Sequence, residues 1–300
     1  MELRQLKYFI KAAALQNFTD AAGALYITQS TLSQQIKQLE DELNIPLFDR
    51  IGKRVRLTEA GKLFLPYAQK TATDAEDGRN ILNDLMNLQT GTLTIGATYG
   101  LTHLLTKAIV DFSVQCPDIK IQIKFGTTQD LLTELENGKI DIMLSFFPVQ
   151  QTKSFIAEKL FSSCLSLIVH NSHPLSKKKL IDIKQIEKLP LLLPADGYSI
   201  RNYLDTVFEK HQISADIKME VNDINTLLQL VDTGKWVTIL MSSSIFNYQH
   251  LKPVKITGEG MSRDATITWS AGSYRKKATI LMAEQLKKYA VDNHFNFNKG

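Results

Sequence analysis

The amino-acid sequence predicts an α/β protein in three successive parts. These are an N-terminal helical segment with a short hairpin, one long helix, and two similar α/β lobes. Apolar residues recur at helical spacing through about residue 89. From residue 92 onward, short apolar strands alternate with helices. The run that begins at Asp130 recurs at Thr226, an offset of 226 − 130 = 96 residues, which predicts two related lobes in tandem.

The N-terminal part is organised around a helix predicted over residues 28–43. Its apolar residues recur at steps of four, three and four and form one stripe: Leu32, Ile36, Leu39 and Leu43. Thr28 precedes this helix as a predicted N-cap. The opposite face has short polar or basic side chains first and carboxylates only at its far end, as a helix in a DNA major groove needs. The candidate DNA-contacting residues are Thr28, Gln29, Ser30, Thr31, Ser33, Gln34 and Lys37, although an ordinary surface helix fits these residues equally well.

Two shorter helices are predicted before this one. Leu3, Leu6, Phe9 and Ile10 give the first an apolar face, and the second spans residues 19–25. The second helix contains several small residues, which allow close approach of a neighbouring helix. Two helices, a brief turn and a polar-faced third helix favour a helix-turn-helix over a generic helical bundle.

A basic hairpin is predicted directly after the third helix. Val55 and Leu57 alternate with arginines, and this period of two turns the apolar side chains inward and the arginines outward. Such a wing can contact phosphates or reach a minor groove. Its candidate DNA-contacting residues are Arg50, Lys53, Arg54 and Arg56; the alternative is a solvated charge run.

A long amphipathic helix is predicted over residues 59–89, with Thr58 as its N-cap. Pro66 should kink this helix or remove one of its hydrogen bonds. Nothing local covers its apolar stripe, so the helix needs a partner. The alternative is packing on its own chain.

The repeat divides residues 90–300 into two lobes. We predict that the chain crosses between them near Leu160–Ser163 and Ala265–Trp269, which assigns about 90–161 and 267–300 to lobe 1 and about 162–266 to lobe 2. Two α/β lobes on a double hinge suit a ligand held at the carboxyl ends of their strands.

The loops at these strand ends supply the candidate ligand-binding residues. Most of these loops also begin helices, so their N–H groups and hydroxyls could hold a small anion. Arg201 is predicted to clamp a carboxylate. The candidates are Thr98, Tyr99, Gly100, Thr102, Thr127, Thr128, Ser145, Phe146, Asp196, Gly197, Ser199, Arg201 and Asn222. The alternative for each polar residue is a plain helix N-cap.

Composition limits the classes of function. The net charge of +4 argues only weakly for a polyanionic partner. In residues 1–60, eight basic minus seven acidic residues leave +1, so a DNA-binding role depends on where the charges cluster. No apolar run approaches the ~20 residues of a membrane span, and no apolar signal region begins the chain. The sequence therefore predicts a cytoplasmic protein.

An enzyme would need a nucleophile–base pair, a metal cluster or a cofactor motif. His170 and His173 are the only close histidine pair, and no nearby Cys or Glu completes a zinc site. Cys116 and Cys164 have no metal-ligand spacing. We therefore expect no enzymatic activity, no cofactor and no metal.

The N-terminal motifs resemble one known family. The segments that carry the resemblance are Phe18-Thr19-Asp20-Ala21-Ala22, Thr28-Gln29-Ser30, Leu32-Ser33-Gln34-Gln35-Ile36, Leu39-Glu40, Pro46-Leu47-Phe48-Asp49-Arg50 and Leu57-Thr58-Glu59-Ala60-Gly61. They are similar to the winged helix-turn-helix of LysR-type transcriptional regulators, and length and domain order fit as well. Gly23 and Ile51 depart from the family pattern only slightly.

The resemblance implies a function for each predicted part. Residues 1–58 would be the winged helix-turn-helix DNA-binding domain, residues 59–89 the linker helix that pairs two subunits, and residues 90–300 an effector-binding domain similar to periplasmic binding proteins. The implied partners are double-stranded promoter DNA, a small-molecule effector, a homodimer that assembles to a homotetramer, and RNA polymerase as a further candidate. The competing hypothesis is a plain small-molecule binding protein whose N-terminal helices only oligomerise it.

Overall fold

The computed structural model describes residues 1–51, 54–86, 90–246 and 248–292. The chain forms two compact units, Met1–Leu88 and Gln89–Gly300. Within the described ranges, no helix combines the length and the apolar content that crossing a membrane requires.

Unit 1 contains three short helices, a two-stranded hairpin and one long helix. Its elements are α1 (Leu3–Leu15), α2 (Phe18–Ala24), α3 (Gln29–Leu43), β1 (Phe48–Ile51), β2 (Arg54–Leu57) and α4 (Glu59–Leu85). Phe9, Leu32 and Ile36 are fully buried between the helices. The ring of Phe48 lies 5.4 Å from those of both Phe9 and Phe18, so the hairpin packs on the same core.

The caps of α2 and α3 show where each helix begins. Thr28 accepts a hydrogen bond from the Thr31 N–H at 3.2 Å, which confirms the predicted N-cap of α3. The predicted start of α2 at Thr19 is one residue late. Asn17 accepts from the Thr19 N–H at 2.8 Å and therefore begins the helix at Phe18.

The hairpin is held against the helices at two points. The Val55 N–H donates to the Gln16 carbonyl at 3.2 Å, at the end of α1. The Glu40 carboxylate accepts from the N–H groups of Leu47 at 2.7 Å and Phe48 at 3.0 Å. Because both contacts are made by backbone groups of the hairpin, the position of the wing beside α3 is closely defined.

Helix α4 has 27 residues and is about 40 Å long at 1.5 Å per residue. Thr58 caps it by accepting from the Gly61 N–H at 3.0 Å, as predicted. Pro66 lies inside the helix, where it supplies no N–H. The described helix ends at Leu85, and the predicted continuation over residues 87–89 lies outside the described residues.

Unit 2 has the predicted α/β fold, with two groups of parallel strands joined by antiparallel ones. Its first elements are β3 (Gly91–Ala97), α5 (Thr102–Gln115), β4 (Ile119–Phe125), α6 (Thr128–Glu136), β5 (Ile142–Ser145), β6 (Gln150–Gln151) and β7 (Phe155–His170). The next are β8 (Leu180–Asp182), β9 (Pro190–Pro194), α7 (Ser199–His211), β10 (Asp216–Val221), α8 (Ile224–Asp232), β11 (Val237–Met241) and β12 (Leu251–Thr257). The last are β13 (Ser262–Ser270) and α9 (Lys277–Asp292).

The internal repeat is present in the topology. Parallel strands lie in the order β4-β3-β5 in the first lobe and β10-β9-β11 in the second. Helices α6 and α8 begin at Thr128 and Ile224, and 224 − 128 reproduces the offset of 96. Their caps repeat as well, since Thr127 accepts from the Asp130 N–H and Asp223 from the Thr226 N–H.

Two adjacent antiparallel strands connect the lobes. β7 pairs with β13 as far as Cys164 and then with β11 from Leu165. The second crossing lies earlier than the predicted Ala265–Trp269, because residues from Thr266 onward already pair with β5 of the first lobe. Both crossings therefore lie side by side on neighbouring strands.

Candidate functional site

The exposed face of α3 is the first candidate site. Six side chains of the predicted DNA-contacting set are exposed: Thr28, Gln29, Ser30, Thr31, Gln34 and Lys37. Ser33 is half-buried. The Gln29 amide donates to the Ser33 hydroxyl at 3.0 Å, and Thr28 shares hydrogen bonds with neighbouring hydroxyls. Among the described residues, no hydrogen bond holds the Gln34 amide. The first turns of α3 thus present uncharged donors and acceptors to solvent.

The wing supplies the second part of this surface. Arg56 is exposed, whereas Val55 is buried and Leu57 half-buried, as the alternation predicts. Lys53 and the side chains of Arg50 and Arg54 lie outside the described residues.

A cavity of about 40 Å³ lies between the two lobes of unit 2, at the carboxyl ends of the parallel strands. Its lining includes six of the predicted residues: Thr98, Tyr99, Gly100, Thr127, Phe146 and Ser199. A single water needs about 10–15 Å³. The cavity therefore has room for a few water molecules or for one small, compact ligand.

Thr98 is a buried polar residue in the lining of this cavity. The residue is only 7% exposed, and its hydroxyl is buried with no hydrogen-bond partner in the described part of the chain. Buried hydroxyls are almost always hydrogen-bonded, so this one calls for a partner. A ligand that enters the cleft and shifts the lining would supply it.

Aromatic rings line one side of the cleft and connect the lobes. The ring of Tyr99 stacks on Phe125 of the first lobe at 4.9 Å and lies 6.2 Å from Tyr198 of the second. The Tyr198 hydroxyl donates to the Asn222 carbonyl. Nearby, His103 stacks on Phe246 across the lobes at 5.3 Å. These contacts join the two lobes beside the cleft.

The role of Arg201 as a carboxylate clamp stays a prediction, but the structure gives its guanidinium other partners. Its guanidinium does not line the cleft; it donates to both Asp205 oxygens at 2.9 and 3.1 Å, to the Pro194 carbonyl at 3.1 Å and to Glu220. Burial disfavours the charge, but the bonds to Glu220 and Asp205 outweigh it and raise the pKa of Arg201. The sequence does not reveal this, because Glu220 follows 19 residues later and reaches Arg201 only through the sheet.

Other predicted residues also lie outside the cavity lining: Thr102, Thr128, Ser145, Asp196, Gly197 and Asn222. The Thr102 hydroxyl donates to the Tyr99 carbonyl at 2.8 Å. Ser145 is fully buried behind the lining, and Asp196 is turned to solvent beside Arg201. Asn222 contributes only its carbonyl, as the acceptor for Tyr198.

Several lining residues were absent from the predicted set: Gly126, Tyr198, Ile200, Ile224, Leu240, Met241 and Ser244. The internal 96-residue repeat points to three of these residues. Adding the offset of 96 to Thr102, Thr128 and Ser145 gives Tyr198, Ile224 and Met241.

Arg263 of β13 is a further residue that the sequence did not indicate. It donates to the carbonyl of Phe146, which lines the cleft, and its guanidinium lies 4.7 Å from the centre of the Tyr203 ring on α7. Burial lowers the pKa of Arg263, and an electrostatic interaction with Tyr203 partly offsets this. Arg263 therefore links the cleft lining of the first lobe to a helix of the second.

No ionisable acid or basic side chain is among the described residues that line the cleft, apart from its tyrosines. An anion there would be held by hydroxyls and by N–H groups at the starts of α6 and α7, not by a cation. The described residues also contain no group of three or more side chains that could hold a metal ion.

The two cysteines do not form a reactive site. Both are buried and neither forms a disulfide, and burial raises the pKa of the Cys116 thiol, an effect that Lys277 partly offsets. Reactive cysteines need a lowered pKa and access to solvent. A thiol-based switch is therefore disfavoured in this chain.

Comparison with known proteins matches both units. Residues 3–62 match the family described as "Bacterial regulatory helix-turn-helix protein, lysR family", and residues 87–290 match the "LysR substrate binding domain". A probable RuBisCO transcriptional regulator of Phaeodactylum tricornutum is 30% identical over 295 residues, 95% of this chain and 96% of that protein.

Solved structures agree with this match. A full-length single-residue variant of OxyR from Pseudomonas aeruginosa has a TM-score of 0.75 at 25% identity, covering 96% of this chain and 98% of its own. Full-length CbnR in complex with its target DNA has a TM-score of 0.66 at 22% identity, with 96% and 100% covered, which shows the shared fold.

Proposed function

The chain belongs to the LysR family of DNA-binding transcriptional regulators, and we propose on that premise how its two candidate sites work together. The exposed face of α3 and the wing bind promoter DNA. A small-molecule effector binds between the lobes of unit 2 and changes the affinity for that DNA. The protein acts in the cytoplasm and is a regulator, not an enzyme.

The proposal for DNA binding depends on one feature of α3. Its first turns present exposed hydroxyls and the Gln34 amide, while its carboxylates lie at the other end. A Gln side chain can pair with the N6 and N7 edge of adenine in the major groove. The Arg56 guanidinium on the wing is exposed beside this surface and suits phosphate or minor-groove contact. Arg50, Lys53 and Arg54 complete the proposed wing contact.

The proposal for effector binding depends on the Thr98 hydroxyl. It is buried and unpartnered among the described groups, and its residue lines a cavity between two lobes joined by two adjacent strands. Helix α7 of the second lobe begins at this cavity, and so does helix α6 of the first lobe, which Thr127 caps. Their positive ends favour a negative ligand, so we propose a small anion.

We propose that the protein assembles through α4. This helix and the Met86 that follows it expose large apolar side chains: Leu63 by 67%, Tyr67 by 71%, Leu82 by 60% and Met86 by 62%. An exposed apolar stripe on a long helix is typical of a helix that pairs with another copy. We propose a homodimer through α4 and a homotetramer through further contacts. RNA polymerase remains a candidate partner on the promoter.

A gel-shift titration tests DNA recognition directly. The protein is titrated against the duplex upstream of its own coding sequence and against a random duplex of equal length. Gln34→Ala should weaken the specific complex by roughly 1–3 kcal/mol and leave the random one nearly unchanged. Gln38→Ala, one turn closer to the carboxylates of α3, is the matched control.

Two results of this titration would each overturn one part of the DNA proposal. Equal loss on both duplexes would make Gln34 a positioning residue and not a base-reading one. No preference of the wild-type chain for the upstream duplex would favour a plain small-molecule binding protein.

A further inference from the structure

The excess positive charge of the chain is concentrated in one part of the second lobe. Residues 171–190 and 250–257 contain seven lysines and two acidic residues, a balance of 7 − 2 = +5. The whole chain has a net charge of +4, so all other residues together have 4 − 5 = −1. Two short segments of unit 2 therefore account for the basic character of the protein.

The fold brings these two segments together at an edge of the sheet. β8 pairs with β12 and with no other described strand, so it is an edge strand. Lys255 lies opposite Leu180 in this pairing, and its backbone N–H donates to the Lys179 carbonyl at 3.1 Å. Four lysines on and beside these strands are exposed and Lys255 is half-buried, and we call the five the lysine edge: Lys177, Lys178, Lys179, Lys252 and Lys255. Lys184 and Lys188 are exposed on the short helix that follows β8.

The acidic residues near the lysine edge have other partners. The carboxylates of Asp182 and Glu187 each accept a hydrogen bond from a backbone N–H, at 2.8 and 2.9 Å. Glu259, the first acid after β12, binds the Lys210 ammonium at 2.7 Å. In the described part of the chain, no carboxylate forms an ion pair with any of the seven lysines. The positive charge of the lysine edge is therefore not compensated within the described chain.

The composition of the two segments indicates which kind of partner they fit. Residues 171–190 and 250–257 contain no Phe, Tyr, Trp or Arg. The centres of protein–protein interfaces are enriched in aromatic residues and arginine and depleted in lysine. Nucleic-acid phosphates, in contrast, are bound by lysines through charge alone, with no pocket and no dependence on sequence. The lysine edge therefore fits a nucleic-acid backbone better than it fits a protein surface.

We propose that the lysine edge is a second DNA-contacting surface, which binds phosphates of the promoter duplex without reading its sequence. The inference rests on the DNA binding proposed above for α3 and the wing, and it extends DNA contact to unit 2. While unit 1 holds the duplex, contact with the lysine edge is intramolecular, so even weak phosphate contacts add to the affinity.

The salt dependence of binding to a random duplex tests this inference, because phosphate contacts are independent of sequence. The full-length wild type is compared with the triple variant Lys177→Gln, Lys178→Gln and Lys179→Gln. If each lysine neutralises one phosphate, the variant should flatten the slope of log K against log salt by about three units, at ~0.9 per phosphate. Replacement of the same three lysines by arginine keeps the charge and should preserve the slope.

A matched control removes three charges from exposed positions of the first lobe: Lys120→Gln, Lys139→Gln and Lys153→Gln. Its slope should equal that of the wild type. Equal flattening in both triple variants would mean that only net charge matters, and it would overturn the lysine edge. A wild-type slope in the triple variant of residues 177–179 would overturn it as well.

A second variant covers the case in which the triple variant does not fold. Lys252→Gln combined with Lys255→Gln changes the neighbouring strand β12 and should flatten the slope by about two units. A wild-type slope in this double variant would also count against the lysine edge.

Photocrosslinking locates the contact in the full-length protein. Benzoylphenylalanine in place of Leu180, which is 55% exposed beside the lysines, should crosslink to the duplex. The same group in place of Val149, which is 51% exposed in the first lobe, should not. No crosslink from position 180, or equal crosslinking from both positions, would contradict the proposed surface.

The same variants distinguish the other roles that a lysine-rich edge can have. If the triple variant of residues 177–179 binds DNA normally but loses binding to polyglutamate, the surface fits an acidic protein and the inference fails. Lysines on an edge strand can also prevent pairing with other chains. Self-association of the triple variant with an unaltered DNA slope would assign that role and reject the DNA contact.

Failure of this inference is distinguishable from failure of the function proposed above. A wild-type chain without preference for the upstream duplex would overturn sequence-specific recognition. The slope on random DNA would still report on the lysine edge. Conversely, a wild-type slope in the triple variant would reject the lysine edge and leave the test of Gln34 unaffected.

Discussion

Gly100 and Ser244 meet across the cleft of unit 2. A Cβ atom at Gly100 would lie 3.1 Å from the Ser244 Oγ and 3.2 Å from the ring of Phe146. Gly100 belongs to the turn after β3 in the first lobe, and Ser244 to the turn after β11 in the second. The missing side chain is what allows the two lobes to approach this closely, so the cleft is sensitive to a single methyl group.

Gly100→Ala should weaken ligand binding in the cleft. The added methyl must displace Ser244 or Phe146, and overpacking of this kind typically costs about 1–3 kcal/mol. Thermal-shift measurements with small anions should show a smaller ligand-induced rise in Tm than in the wild type. Gly272→Ala is the matched control, because a Cβ there meets nothing within 4 Å. An unchanged ligand response in Gly100→Ala would mean that the cleft is not the ligand site.

Arg201→Met should reduce stability without abolishing the effector response. The change leaves the Glu220 and Asp205 carboxylates without their shared cation, although both are partly exposed and can take up water. Hydrogen bonds between charged groups contribute about 1.5–3 kcal/mol, so we expect a loss of about 2 kcal/mol in urea unfolding. Full stability together with a lost effector response would restore Arg201 as a ligand clamp.

The parts of the fold with a strong local pattern could be predicted from the sequence. The stripe on α3, its Thr28 cap and the repeat at 96 residues each follow from spacing alone. The site was only partly predictable, because its residues come from loops far apart in sequence. Ser244 approaches Gly100 because the two lobes pack together. Glu220 reaches Arg201 because the fold brings β10 next to α7. Neither contact can be predicted from a pattern in the neighbouring sequence.

Arg56→Ala should weaken specific and random DNA alike. If the guanidinium neutralises one phosphate, its loss should flatten the slope of log K against log salt by about one unit. Lys120→Ala, which removes one exposed positive charge from unit 2, should leave that slope unchanged. A slope equal to that of the wild type in Arg56→Ala would exclude the phosphate contact.

Leu82→Lys should weaken self-association. Leu82 is 60% exposed on α4, and a lysine there would place a charge in the proposed seam between two helices. Analytical ultracentrifugation should show a shift toward smaller species. Glu76→Lys, at an exposed polar position of the same helix, should assemble normally. An unaltered assembly in Leu82→Lys would mean that this position does not lie in the subunit interface.

The most direct test concerns how the cleft affects DNA binding, because a ligand can change DNA affinity only if it favours one arrangement of the lobes. Thr98→Val nearly preserves shape but deletes the unpartnered hydroxyl, and Thr106→Val is an exposed control on α5. The measurement is promoter affinity with and without the anion that raises the wild-type Tm most. We predict that the ligand changes promoter affinity roughly 5- to 150-fold in the wild type and in Thr106→Val. In Thr98→Val we expect no ligand-dependent change and the same basal promoter affinity as in the wild type. An equal change in all three proteins, or ligand binding that leaves wild-type promoter affinity unaltered, would contradict the proposed role of the cleft.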